Sequence, residues 1–171
     1  MLYHFSEDPD IEIFIPRAQQ NQEGMPPVVW AIDEEHSVNY FFPRDCPRVI
    51  YRRSSNVNEQ DADRFFSHTT ADTIIAVENK WIDRIRNVKL YRYTFSDERF
   101  ELRDKWAGYY TSYKTVTPVK VEPFDDLIGR ILSRGVELRF IPNLYPLRDA
   151  IIRSTVDYFS IIRFKNAAKP E

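Results

Sequence analysis

Residues 69–88 read TTADTIIAVENKWIDRIRNV, and how they fold decides how many strands the chain has. The stretch 73–77 is rich in β-branched residues and would suit a strand. Against that, Ile74, Val77, Trp81, Ile85 and Val88 recur at steps of three and four, the spacing of one helix face. Thr69, with Asp72 three residues on, resembles a capping signal. The spacing predicts one helix over about residues 70–87.

Downstream, LYRYTF at 90–95 reads as a strand, and so do 109–113 and 116–121. The strongest local helix signal is PFDDLIGRILSRG at 123–135. Phe124, Leu127, Ile128, Ile131 and Leu132 hold one face; Pro123 and two aspartates mark the start, and Arg134-Gly135 the end. A strand at 136–140 follows. Asn143 then caps a helix with Leu144, Leu147 and Ile151 inward and Pro146 tolerated in the first turn. A last strand spans 158–164, and 165–171 is a tail.

Upstream, 2–5 is a short aromatic strand, and Ile11, Ile13 and Ile15 alternate over a second extended piece. Residues 17–27 are a polar loop, the most flexible segment expected, either a lid or simply solvated. Residues 28–53 read VVWAIDEEHSVNYFFPRDCPRVIYRR. They give a strand at 28–31, a short helix at 34–41 capped by Asp33 with Glu34 and Glu35 in its first turn, a stop at Pro43, and a strand at 49–53. On that strand Val49 and Tyr51 share one face, Ile50 and Arg52 the other. Asn58 caps a helical turn ending at Phe65-Phe66. Strands outnumber helices and come both in runs and interleaved. The fold class expected is α+β: a single domain over 1–171 with a mixed or split β-sheet flanked by about three to four helices.

Composition narrows the function. A chain of 171 residues with 43% hydrophobic and 29% charged residues is ordinary for a globular domain. Its 4 glycines are too far apart for a phosphate-cradling GxGxxG or P-loop pattern. A net charge of −2 makes a general nucleic-acid binder unexpected. The one cysteine, Cys46, cannot form an internal disulfide. No signal-peptide pattern and no membrane span are visible, so the expected location is the cytoplasm. HExxH and CxxC are both absent, and no metal site is expected.

Several residues invite a chemical reading. His4, between Tyr3 and Phe5, could present one ring nitrogen to a ligand, or be a core histidine satisfied by a neighbour. His36 precedes Tyr40 by four residues, which would place both on one helix face. Cys46 is flanked by Arg44, Asp45 and Arg48; the arginines could lower its pKa, or it is a small buried residue at a strand entrance. Arg44, Arg48, Arg52 and Arg53 could fork onto phosphate, or pair with acids of the chain itself.

The blocks LYHFSEDPDI, VVWAIDEEHSVNYFFPRDCPRV, AGYYTSYKTVTP and STVDYFSIIRFKNA together resemble the signature of a small bacterial domain family without an assigned function. The order of a first strand with YH, a strand running into WAIDEEHSVNYF, and YYTSYKTVTPVKVEPFDDLIGRIL is also similar to ADP-ribosyltransferase-like domains of the His–Tyr–Glu kind. That resemblance implies NAD as a ligand. In such enzymes a first-strand histidine holds a ribose, a tyrosine stacks on nicotinamide, and a late-strand glutamate stabilises the oxocarbenium-like charge. It assigns His4 to the first role and Tyr40 to the second. The late strand itself carries Ser112; of the nearest acids, Glu122 and Glu137, Glu122 is the candidate for the third. The implied pocket adds Tyr110 and Ser112, with Arg44 and Arg48 for phosphate. Binding a nucleotide without turnover is one reading. The alternative is a non-catalytic interaction domain whose aromatic residues cover a protein partner or a second copy of the chain.

Overall fold

In the computed structural model, residues 1–20 and 23–170 are described. Asn21 and Gln22 of the polar loop, and Glu171 of the tail, lie outside the described residues. The elements run β1 (Leu2–Ser6), β2 (Val29–Ile32), β3 (Arg48–Arg52), α1 (Glu59–Phe66), β4 (Thr73–Glu78), α2 (Ile82–Asn87), β5 (Leu90–Phe95), β6 (Glu101–Asp104), β7 (Tyr109–Ser112), β8 (Lys120–Phe124), α3 (Leu127–Ser133), β9 (Glu137–Ile141), α4 (Tyr145–Ile152) and β10 (Phe159–Ile162). Single 3-10 turns cover Ser37–Tyr40, Asn79–Trp81, Asp97–Arg99 and Phe164–Asn166. The class is α+β, with four α-helices and two separate sheets among the described residues. The chain divides into two compact units, one made of Met1–Phe41 and Val88–Asp125, the other of Phe42–Asn87 and Asp126–Glu171.

The first unit holds a six-stranded sheet in the order β6-β7-β2-β1-β5-β8, and every pair in it is antiparallel. One face carries a core of Leu2, Val29, Ala31, Tyr93, Phe95 and Val116. The segment after β1 lies on this face. Tyr93 ties it down: its hydroxyl donates to the Asp8 carbonyl at 2.6 Å and accepts from the Ile11 N–H at 3.1 Å. The isoleucine alternation at 11–15 does not make a regular strand. Phe14 bridges to Val116 and packs edge-on against Phe95, which turns Ile13 and Ile15 out to solvent. β6 gave no advance signal, because all four of its residues are exposed and three are charged.

The second unit holds a four-stranded sheet in the order β10-β3-β4-β9. β4 runs antiparallel to β3 and parallel to β9, so the sheet is mixed. Here the expected helix over 70–87 is overturned. Residues Thr73–Glu78 form the strand β4, and only Ile82–Asn87 is α-helical. All six residues of β4 are buried. A strand with neighbours on both edges and cover on both faces reads as a continuous apolar run, and such a run satisfies a helical spacing by accident. The core beneath it joins Val49, Tyr51, Ile74 and Ala76 to Phe65 and Phe66 of α1 and to Leu144 and Ile151 around α4.

Local signals otherwise land close to their elements. The Asn58 side chain accepts from the Asp61 N–H at 2.8 Å and caps α1. Asn143 Oδ1 accepts from the Tyr145 N–H at 2.9 Å, with Pro146 in the first turn of α4. The helix expected from Pro123 begins only at Leu127, capped by Asp126. Pro123 and Phe124 instead end β8, opposite Tyr91 and Leu90. The expected strand at 116–121 is correspondingly displaced, with its ladder at Lys120–Phe124.

Candidate functional site

Register decides what the first unit can assemble. Paired residues of neighbouring strands project to the same face. His4 opposes Tyr93, Tyr110 opposes Ala31, and Ser112 opposes Val29. These belong to the core face. The His4 ring packs edge-on to Phe14, with centroids 5.0 Å apart, and against Tyr93 at 6.4 Å.

The opposite face carries Tyr3, Phe5, Trp30, Ile32, Arg92, Thr94, Tyr109, Lys120 and Glu122, by the same pairings. The segment from Asp33 to Phe41 turns back over this second face. The short helix expected at 34–41 is a turn followed by a 3-10 helix, Ser37–Tyr40. Asp33 starts it in the way a cap would, since its Oδ1 accepts the His36 N–H at 2.8 Å. The same oxygen lies 2.8 Å from His36 Nδ1. That contact is a hydrogen bond when the imidazole carries a proton on Nδ1. The Asp33 N–H donates to the Gly108 carbonyl at 3.0 Å. Gly108 has a φ of +71°, and a Cβ there would collide with the His36 ring and Asp33 Oδ1. The pin between this segment and the start of β7 therefore requires glycine.

Further along, Glu34, Tyr40 and Phe41 of the segment meet the sheet. The Glu34 carboxylate accepts from the Tyr3 hydroxyl; burial and then this carboxylate raise the Tyr3 phenol above its ordinary value. The Tyr40 hydroxyl bonds that of Tyr109. Tyr109 in turn meets Trp30 edge-on at 5.6 Å. Phe41 packs on Phe5 and Phe124, with centroids at 5.3 and 4.7 Å. The Arg92 guanidinium lies over the Tyr3 ring at 5.2 Å and the Phe124 ring at 5.4 Å. It donates to Glu122 Oε2 at 3.2 Å, and Lys120 Nζ reaches the same oxygen at 3.1 Å. Hydrogen bonding from Lys120, then from Arg92, holds the Glu122 carboxyl below its ordinary range.

Two donors on this face are left over. Trp30 Nε1 and Arg92 Nε are shielded from solvent and have no hydrogen-bond partner among the described residues. They sit on β2 and β5, with β1 between them. A buried unpaired N–H costs roughly 1–3 kcal/mol, so a pair on one face marks a place where an acceptor is wanted.

The structure thus brings Tyr40 and Glu122 to one face and His4, Tyr110 and Ser112 to the other. His4 and Tyr40 therefore serve opposite faces of the sheet. Arg44 and Arg48 belong to the second unit. Arg44 is exposed. Arg48 is buried, donates to the Cys46 carbonyl at 2.7 Å and stacks over Phe42 at 5.0 Å. Next to it, the fully buried Glu78 accepts from the Leu144 N–H at 3.2 Å and the Ala168 N–H at 3.0 Å. Tyr3, Trp30 and Tyr109 lie within the blocks quoted for the family resemblance without a role of their own, and Arg92 and Glu78 lie outside those blocks. The strand pairings and burial place them.

Among the described residues, no group of three or more His, Cys, Asp or Glu is placed to hold a metal ion, and no helix is long and apolar enough to cross a membrane. No curated protein and no solved structure matches the chain. The blocks that fill the strands and the covering segment are, however, a family pattern that runs almost end to end: over residues 3–167 the chain matches, and belongs to, the family of unknown function DUF6886.

Proposed function

We propose that the first unit binds a planar, phosphate-bearing ligand of the nucleotide class on the face covered by the segment from Asp33 to Phe41, and binds it without turnover. NAD is one member of that class. The observation that carries this reading is the pair of shielded, unpartnered donors, Trp30 Nε1 and Arg92 Nε, on one face. Rings flank them: Tyr3 beneath the Arg92 guanidinium and Tyr109 against Trp30. Aromatic faces stack on bases, and a guanidinium serves phosphate oxygens. The Glu122 carboxylate argues for binding over transfer. It is already neutralised by Arg92 and Lys120, and a carboxylate that must stabilise a developing oxocarbenium charge acts best when its charge is not spent on cations.

Thermal shift with NAD, ADP-ribose, ATP and nucleoside monophosphates tests the reading. A ligand at about one hundred times its Kd adds about 2.7 kcal/mol, several degrees in a chain of this size. The shift should vanish in Arg92→Gln and Trp30→Phe and persist in His4→Ala, whose ring lies on the other face. No shift with any of these ligands, or a shift that survives both substitutions, overturns the proposal.

A second reading, a protein-interaction domain with an aromatic contact, draws support from Trp106. It is 73% exposed at the tip of the β6–β7 hairpin. Asp104 Oδ1 stiffens that tip by accepting the Trp106 and Ala107 N–H groups at 2.9 and 3.1 Å. This reading expects Trp106→Ala to lose a partner while its melting point stays that of the wild type. A large fall in melting point would make Trp106 a structural residue.

A further inference from the structure

An open sheet edge is a template for another strand, and proteins normally block it with charge, proline or a bulge. Three of the four outer strands here carry such a block. β6 is Glu-Leu-Arg-Asp, fully exposed and irregular in register between Leu102 and Asp104. β8 has Pro123 within it. β9 carries the ion pair of Arg139 with Glu137, at 2.7 Å. β10 is different. Its sequence is Phe-Ser-Ile-Ile, with no charge and no proline, and its register with β3 is unbroken over all four residues.

The ladder shows which groups of β10 are open. The Tyr158 carbonyl accepts from the Arg52 N–H at 2.9 Å, so Tyr158 faces β3. Bonded and non-bonded pairs alternate in an antiparallel ladder. Ser160 and Ile162 therefore also direct their main chain to β3, and Phe159 and Ile161 direct theirs away. No described residue takes up these outward N–H and C=O groups. Phe159 is at the same time an exposed phenylalanine, 39% accessible.

We propose that β10 pairs antiparallel with β10 of a second copy of this chain, about a two-fold axis through Ser160. Two outward residues flanking one central residue are self-complementary under that operation. Phe159 bonds Ile161 of the second copy and Ile161 bonds its Phe159, giving four main-chain hydrogen bonds and a continuous sheet of eight strands. The left-handed Arg163, with φ +53°, ends the strand. The pairing is therefore confined to these few residues, which suits a matching short strand better than a long foreign one.

Sedimentation of the whole chain from about 1 to about 100 μM should show a monomer–dimer equilibrium. In the dimer the two Ser160 residues form a non-bonded pair with Cα atoms about 4.5 Å apart, inside the range a disulfide spans. Ser160→Cys should therefore cross-link under mild oxidation, while an exposed control, Arg153→Cys, should not. The native Cys46 is buried and does not compete. Ser160→Lys places like charges opposite each other and should weaken the dimer by at least about tenfold, with the circular dichroism of the wild type. A chain that stays monomeric throughout, a dimer unaffected by Ser160→Lys, or Ser160→Cys that cross-links no faster than Arg153→Cys each overturns the proposal. If Ser160→Lys misfolds, the comparison of the two cysteine variants decides alone.

Discussion

The Cys46 thiol is fully buried at the entrance to β3, and burial pushes its pKa up to about 12. The nearby Arg48 guanidinium pulls it down and Glu78 pushes it up, but desolvation is the larger effect. A thiol of that kind stays protonated at neutral pH and is a poor nucleophile. Iodoacetamide at about pH 8 should leave the native protein unlabelled and modify Cys46 fully after denaturation. Rapid labelling of the native state would mean that this strand entrance opens readily. Asp61 behaves oppositely. Its Oδ2 accepts from the Thr155 hydroxyl at 2.6 Å and the Thr155 N–H at 2.7 Å, and these bonds hold the carboxyl below its ordinary range. A lowered folded-state pKa means that the stabilisation is complete above the unfolded value of about 3.9 and is lost as pH falls through the lower folded value. Between neutral pH and the acid transition, Asp61→Asn should therefore flatten the fall in stability relative to wild type. Parallel acid titrations of the two proteins would show that Asp61 is not coupled to folding.

At the scale of elements, two glycines with the same backbone conformation separate strain from collision. Gly108 and Gly135 have φ of +71° and +73°, but only at Gly108 does a Cβ meet other atoms, the His36 ring and Asp33. Gly135→Ala should cost about 1 kcal/mol, the strain of a left-handed residue. Gly108→Ala should cost about 2 kcal/mol or more, because it also breaks the pin that holds the segment over the sheet. Urea midpoints measure the difference, and equal midpoints would show that the pin carries no stability. Such short-range features explain what the sequence made legible. Asn58, Asn143 and the 90–95 strand are set by atoms a few residues away, so their signals survive without the fold. The helical spacing at β4 misleads because its burial comes from β3 and β9, neither adjacent in the chain. The candidate site was half legible for the same reason. Tyr40 and Glu122 were visible as residues, but which face each one serves depends on register, and register placed His4 opposite Tyr93 in the core. Trp30 and Arg92 lie in the expected strands at 28–31 and 90–95, but their unpaired N–H groups depend on what packs over them.

The whole molecule is woven in a way that a single pass along the chain does not reveal. Each compact unit takes one stretch from each half of the sequence. The first sheet needs β1 beside β5, pairing Leu2 with Phe95 through Ser6 with Tyr91. The second needs β4 beside β9, pairing Ile74 with Glu137 through Glu78 with Ile141. Cutting between Asn87 and Val88 removes both partnerships at once. The N-terminal piece keeps β1 and β2 without the strand that continues their sheet past β1, and keeps β4 with one face of its core stripped of Leu144, Ile151 and Val156. A set of strands that cannot bury its apolar face does not offset the entropy of ordering its backbone, about 1–2 kcal/mol per residue. Residues 1–87 and 88–171 made separately should each lack near-ultraviolet circular dichroism and a cooperative thermal transition. Refolded together, they should recover both, since every strand pair is again available. Cooperative unfolding of either half on its own would mean that one unit is sustained by contiguous contacts, and that the strand pairings across the two halves are not what holds the fold.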